Sequence, residues 1–138
     1  MIRTAETPRD VAYRPIPHWA RVPHGMSFCG DATSVAVDSK DNVYVFNRGS
    51  RPMMIFDKSG AFVASWGAGE FDRPHGIAID GDDNLYLVDD GGHFVQKRTR
   101  EGKVLMTIGQ RGNGSEPFSG APFNRPTDVA INPATGDI

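Results

Sequence analysis

The chain has 138 residues, room for one domain with a core. Its 15 basic and 17 acidic side chains leave a formal charge of −2, which excludes a general electrostatic pull on nucleic acid or anionic lipid. No apolar run reaches the ~18 residues that span a bilayer, and a single cysteine, Cys29, excludes an internal disulfide framework or a cysteine-built zinc site.

Residues 1–30 carry prolines at 8, 15, 17 and 23 without a sustained period, and read as an irregular lead-in. They lack the apolar core of a secretory signal, so the chain as given reads as cytoplasmic, with secreted or periplasmic relatives left open. Cys29, at their end, reads as a small buried hydrophobe. His18 and His24 fall in this stretch with no spacing that joins them to another ligand.

From residue 31 the sequence repeats itself. "TSVAVDSKDNVYVFN", starting at Thr33, matches "HGIAIDGDDNLYLVD", starting at His75, at an offset of 77 − 35 = 42 when Val35 is laid on Ile77. Asp38 falls on Asp80, Tyr44 on Tyr86, Gly60 on Gly102 and Gly67 on Gly109. Each copy reads as four short strands. In the first these are Val35-Ala36-Val37, Val43 to Phe46, Met54-Ile55-Phe56 and Phe62-Val63-Ala64, separated by Asp, Asn and Gly turns. No sustained helical period interrupts them. A third copy opens at "TDVAINPATGDI", where Val129 falls on Ile77 at an offset of 52, after a long surface loop, "QRGNGSEPFSGAPFNRP".

Four short strands in about 40–45 residues, repeated, indicate an all-β fold, a β-propeller of four-stranded blades. The expected blades are about 31–67, 73–109 and an incomplete 125–138, together a partial propeller over 31–138. A propeller closes with about four blades or more. Two copies and one further strand therefore predict the N-terminal part of a longer protein, inactive alone, with an open strand at Val129.

Several motifs invite a chemical reading. "DGDDN" at Asp80 resembles a calcium loop, but Leu85 and Gly91 stand where an EF-hand needs glycine and glutamate, so it reads as a polar hairpin turn. "GAGEFD" and "GNGSEP" lack the third glycine of a nucleotide loop. Lys97-Arg98-Thr99-Arg100 reads as a solvated strand face, His93 as a structural or rim residue, and Trp19 and Trp66 as core or inter-blade packing. His75 opens the innermost strand of its blade, a position that points to the channel mouth. Single histidines from separate blades can assemble there into a zinc site with an open position; a hydrogen-bonding histidine in a turn is the other reading. Arg48 sits where the second copy has Asp90. It is either a guanidinium fork for a carboxylate or a surface arginine paired to a neighbouring aspartate.

The phrase from Phe71 to Asp89, "FDRPHGIAIDGDDNLYLVD", resembles the NHL repeat. "VAVDSKDNVYVFNRG", "RPHGIAIDGDDNLYLVDDGGHFVQK" and "FNRPTDVAINPATGDI" together resemble the N-terminal half of the peptidyl-α-hydroxyglycine α-amidating lyases and their bacterial relatives, over about residues 19–138. The resemblance implies a six-bladed propeller that splits a peptidyl-α-hydroxyglycine into a peptide amide and glyoxylate. It implies zinc on three histidines, of which His75 matches one, and calcium held partly by backbone carbonyls, which Val35 and Ile77 match. Arg48 matches the family's catalytic arginine, with Asn47 where a histidine often precedes it, and Thr127 takes the slot equivalent to His75. The implied partner is a small-molecule or peptide substrate with a hydroxyglycine-like end, with no nucleic acid and no membrane. Two alternatives stand beside this: a non-catalytic NHL propeller that binds a protein or peptide, and a calcium-dependent, lactonase-like propeller hydrolase.

Overall fold

The computed structural model describes residues 13–28 and 30–138; Cys29, expected to be buried, lies outside them. Eight strands form two antiparallel sheets. The first sheet holds β1 (Ala32–Val37), β2 (Val43–Asn47), β3 (Met53–Phe56) and β4 (Phe62–Trp66), paired in chain order. The second holds β5 (Pro74–Ile79), β6 (Leu85–Asp89), β7 (Phe94–Arg98) and β8 (Val104–Gly109), in the same order. All eight lie where the repeat predicts them. Even the irregularities recur: the register slips between Ile55 and Phe56 in one sheet and between Lys97 and Arg98, 42 residues on, in the other. The expected turns also hold. Asp38 accepts from the Lys40 and Asn42 amides at 2.9 Å, and Asp80 from those of Asp82 and Asn84.

The sheets lie face to face, and the main core fills the seam between them. Tyr44, Phe46, Met53 and Ile55 of the first sheet pack against Phe71, Ile77, Leu85, Leu87 and Phe94. Phe46 meets Phe71 edge to face with ring centroids 5.0 Å apart, a favoured aromatic geometry. The other face of the first sheet is covered too. Val45, Met54 and Phe56 form a second cluster with Trp19, Val22, Met26 and Phe28. This explains why β2 and β3 read as continuous apolar runs: both faces are buried.

The lead-in is therefore less irregular than its prolines suggest. The Trp19 indole N–H donates to the Lys58 carbonyl at 3.3 Å, and that of Trp66 to the Arg100 carbonyl at 3.1 Å; Lys58 and Arg100 are equivalent positions. Each indole also lies over the hairpin glycine of its target, Gly60 or Gly102. What the end of β4 does to the second sheet, the lead-in does to the first. Of the two roles expected of the tryptophans, Trp66 packs between the sheets and Trp19 packs against the core of the first sheet.

Two expectations need correction. Arg98 is buried, not solvated: its guanidinium pairs with Glu70 and stacks over Phe71 and Trp66, 4.8 and 5.6 Å from the ring centroids. Its neighbours Lys97 and Arg100 pair with Asp80 and Asp83. The register slip at Arg98 and the apolar seam beside it bring that side chain inward, where a buried cation is tolerated only when paired. Second, no strand forms at Val129. Residues 125–138 are extended and turn segments without a ladder, because these residues offer no second strand for the third copy to pair with. The long loop before it runs over the surface as expected, fixed near its start by an Arg111–Asp72 ion pair at 2.5 Å.

Candidate active site

The strand starts carry the site. Thr33, His75 and Thr127 are equivalent positions of the three copies (75 − 33 = 42; 127 − 75 = 52). All three line one open cavity of about 350 Å³, together with Ser34, Gly76 and Asp128. His75 is half-buried there, one residue after the buried Pro74. The third copy approaches the second at this point through its backbone. A Cβ on Gly76 would stand 2.8 Å from the Thr127 carbonyl oxygen, so only glycine fits.

The entry to His75 is clamped from behind. Asp89, fully buried, accepts hydrogen bonds from the amides of Asp72, Arg73 and Gly92 at 2.6–2.8 Å. Three such bonds fix the backbone that leads into Pro74 and His75. Asp72 itself is held below the usual carboxylate range by the Arg111 guanidinium.

Arg48 sits at the end of β2 and reaches the next copy. Its Nε donates to the Pro74 carbonyl at 3.2 Å, its Nη1 to Asp31 at 2.6 Å, and its backbone amide to the Asp31 carbonyl at 3.0 Å. Of the two readings of Arg48, the structure shows the pairing to a neighbouring aspartate. The side chain also touches the residue before His75. Val35 and Ile77 occupy matching ladder positions on the neighbouring strands β1 and β5, opposite Val45 and Leu87. Their side chains differ: Ile77 is in the seam, while Val35 is 61% exposed. His93 lies away from the cavity residues and accepts the Arg125 amide at Nδ1, 3.1 Å away, a structural role. His18 and His24 are exposed.

Sequence reasoning missed the charged partners. Arg73 and Arg125 both donate to Oδ2 of the buried Asp90, at 2.6 and 3.0 Å. The signal was in the repeat: Asp31 falls on Arg73, and Arg48 on Asp90, so the pair recurs with its polarity reversed. As for metal, no group of three or more His, Cys, Asp or Glu side chains capable of holding an ion occurs among the described residues.

Two stacked four-stranded antiparallel sheets, related by one repeat and converging at their first strands, define a propeller-type all-β protein. No family model matches the chain. Individual relatives do. It is 30% identical over 137 residues to peptidyl-glycine alpha-amidating monooxygenase of Mus musculus, covering 79% of this chain and 14% of that protein. It is 30% identical over 130 residues to peptidyl-alpha-hydroxyglycine alpha-amidating lyase 1 of Drosophila melanogaster, covering 74% and 24%. A probable lyase of the same kind from Caenorhabditis elegans is 31% identical over 83 residues, covering 59% and 23%. The relatives agree, and they make this chain a distant relative of the peptidyl-α-hydroxyglycine α-amidating lyases. It spans about a quarter or less of the length of each.

Proposed function

We propose that these residues form one side of a carbon–nitrogen lyase site that cleaves the N–Cα bond of an α-hydroxyglycine, releasing an amide and glyoxylate. The observation that carries the reading is the meeting of His75 with Thr33 and Thr127 in one cavity, with Arg48 bonded to the residue before His75. The relatives named as amidating lyases support the class.

The reaction balances without an outside reagent. The hydroxyl proton leaves, the O–H electron pair becomes the second bond of the aldehyde C=O, the C–N bond breaks, and the nitrogen keeps the C–N bonding pair and takes up a proton. Arg48 offers a guanidinium for the substrate carboxylate. His75 lines the cavity it shares with Thr33 and Thr127, and an imidazole there is placed to serve as a general base toward the hydroxyl. The donor set here does not by itself fit a zinc centre: His75 is one imidazole, and no second or third joins it among the described residues. Zinc at His75, and calcium at the Val35 and Ile77 carbonyls, rest on the resemblance.

The test is nuclear magnetic resonance mapping with glyoxylate and N-benzoyl-α-hydroxyglycine, beside an assay for glyoxylate release. Perturbations at Thr33, His75, Gly76, Thr127 and Arg48 are expected, and His75→Ala should remove them. Perturbations confined to the separate cavity lined by Lys40, Tyr44, Trp66 and Arg100 would overturn the assignment.

A further inference from the structure

The pair of positions occupied by Asp31 and Arg48 has two tasks available to it. One is to latch neighbouring copies together. The other is to hold a guanidinium beside Pro74, the residue before His75. The second copy shows what a latch looks like: Asp90 is buried to 3% exposure and joins Arg73 of its own copy to Arg125 of the next. For a latch either polarity serves.

The first copy reverses the polarity. Here the cation is the inner member, with its side chain 24% exposed against 69% for Asp31. Three of the four nitrogens of Arg48 are engaged: the amide and Nη1 by Asp31, and Nε by the Pro74 carbonyl. Nη2 has no hydrogen-bond partner among the described residues. An exposed ion pair adds little to stability, so the energetic case for Asp31 as a fastener is weak. A guanidinium held at two of its three nitrogens has lost most of its rotamer freedom, and Nη2 is left to meet a ligand without further ordering of the side chain.

We infer that Asp31 is a positioning residue for the carboxylate end of the substrate: with the Pro74 carbonyl it locks Arg48 so that Nη2 is the edge offered to an anion beside His75. The inference rests on the functional reading above and adds a residue and a geometry to it. It also sets the specificity. A free carboxylate is bound through the presented edge, and an uncharged amide of the same compound gains nothing from it.

The experiment compares three proteins: wild type, Asp31→Asn, and the double exchange Asp31→Arg with Arg48→Asp, which gives the first copy the polarity of the second. Binding of glyoxylate, of N-benzoyl-α-hydroxyglycine and of its uncharged amide is measured by NMR titration, with the Arg48 Nε–H resonance of wild type and Asp31→Asn followed separately. Asp31→Asn should weaken both carboxylates about tenfold, leave the amide unchanged, and broaden the Arg48 Nε–H signal. The double exchange should keep the melting temperature within a few degrees and lose carboxylate binding. Equal carboxylate affinity in wild type and Asp31→Asn, or a double exchange that still binds, would overturn the positioning role alone. A wild-type protein with no carboxylate response at Arg48 or His75 would overturn the functional reading and this inference together.

Discussion

The two sheets are the same repeat set against different neighbours. The first has the second on one side and the lead-in on the other; the second has the first on one side and its far face toward residues 110–138. Position for position they share strands, slips and turns, yet they differ where charge sits. Asp31 and Arg48 form a half-open pair, while Arg73, Asp90 and Arg125 form a buried bridge. The lesson is that apolar positions of a repeat keep their role from copy to copy, whereas the charges flanking the inner strands change with the partner within reach: Arg48 meets Asp31 and the Pro74 carbonyl, and Asp90 meets Arg73 and Arg125.

The sharpest way to test that division is to cut the seam. Phe46 is fully buried in it, and Phe46→Ala should cost about 3–5 kcal/mol in urea unfolding. Val88, the equivalent residue, is equally buried on the far face, and Val88→Ala should cost about 2 kcal/mol. Equal losses would mean that side-chain size does not set the ranking.

A middle-sized effect separates the two charged pairs. Asp90→Asn leaves two arginines facing a neutral amide, and should cost about 2 kcal/mol, discounted from a fully buried pair because both arginines are partly solvated. Asp31→Asn should cost under about 0.5 kcal/mol. Thermal melts read both, and a reversed order would erase the distinction between bridge and half-open pair.

The smallest effect is the one the copies share. Asp38 and Asp80 are each raised by burial, but the side-chain and amide donors around them outweigh it and hold both carboxyls below the usual range. A carboxyl depressed in the fold gives stability that is present above its unfolded pKa of about 3.9 and is lost as pH falls through the folded value. Melting temperature should therefore hold above about pH 4 and decline below it. Asp38→Asn and Asp80→Asn should each flatten that decline by a similar amount.

Much of this was legible in the sequence because its causes are local. Val, Ile, Tyr and Phe runs between Asp and Gly turns announce strands, and the 42-residue offset announces that the second four copy the first. His75 was singled out by its place at a strand start, where the structure puts it on the cavity wall. What could not be read were partners distant in the chain. Nothing around Trp19 says that it caps Lys58, and Arg98 looks like one member of a basic cluster until Phe71 and Trp66 are seen on either side. Asp31 and Asp90 were readable only by asking which charged positions change sign between copies. The strand expected at Val129 fails for another reason: extended propensity becomes a ladder only beside a partner.

The paired indoles give the molecule a built-in pair of optical gauges. The chain has two tryptophans, and each sits at a different seam: Trp19 where the lead-in meets the first sheet, and Trp66 where the first sheet meets the second. Single-tryptophan versions, Trp19→Phe and Trp66→Phe, would each emit from one seam only. Separate emission shifts during denaturation would time the peeling of the lead-in against the parting of the sheets, with no dye attached.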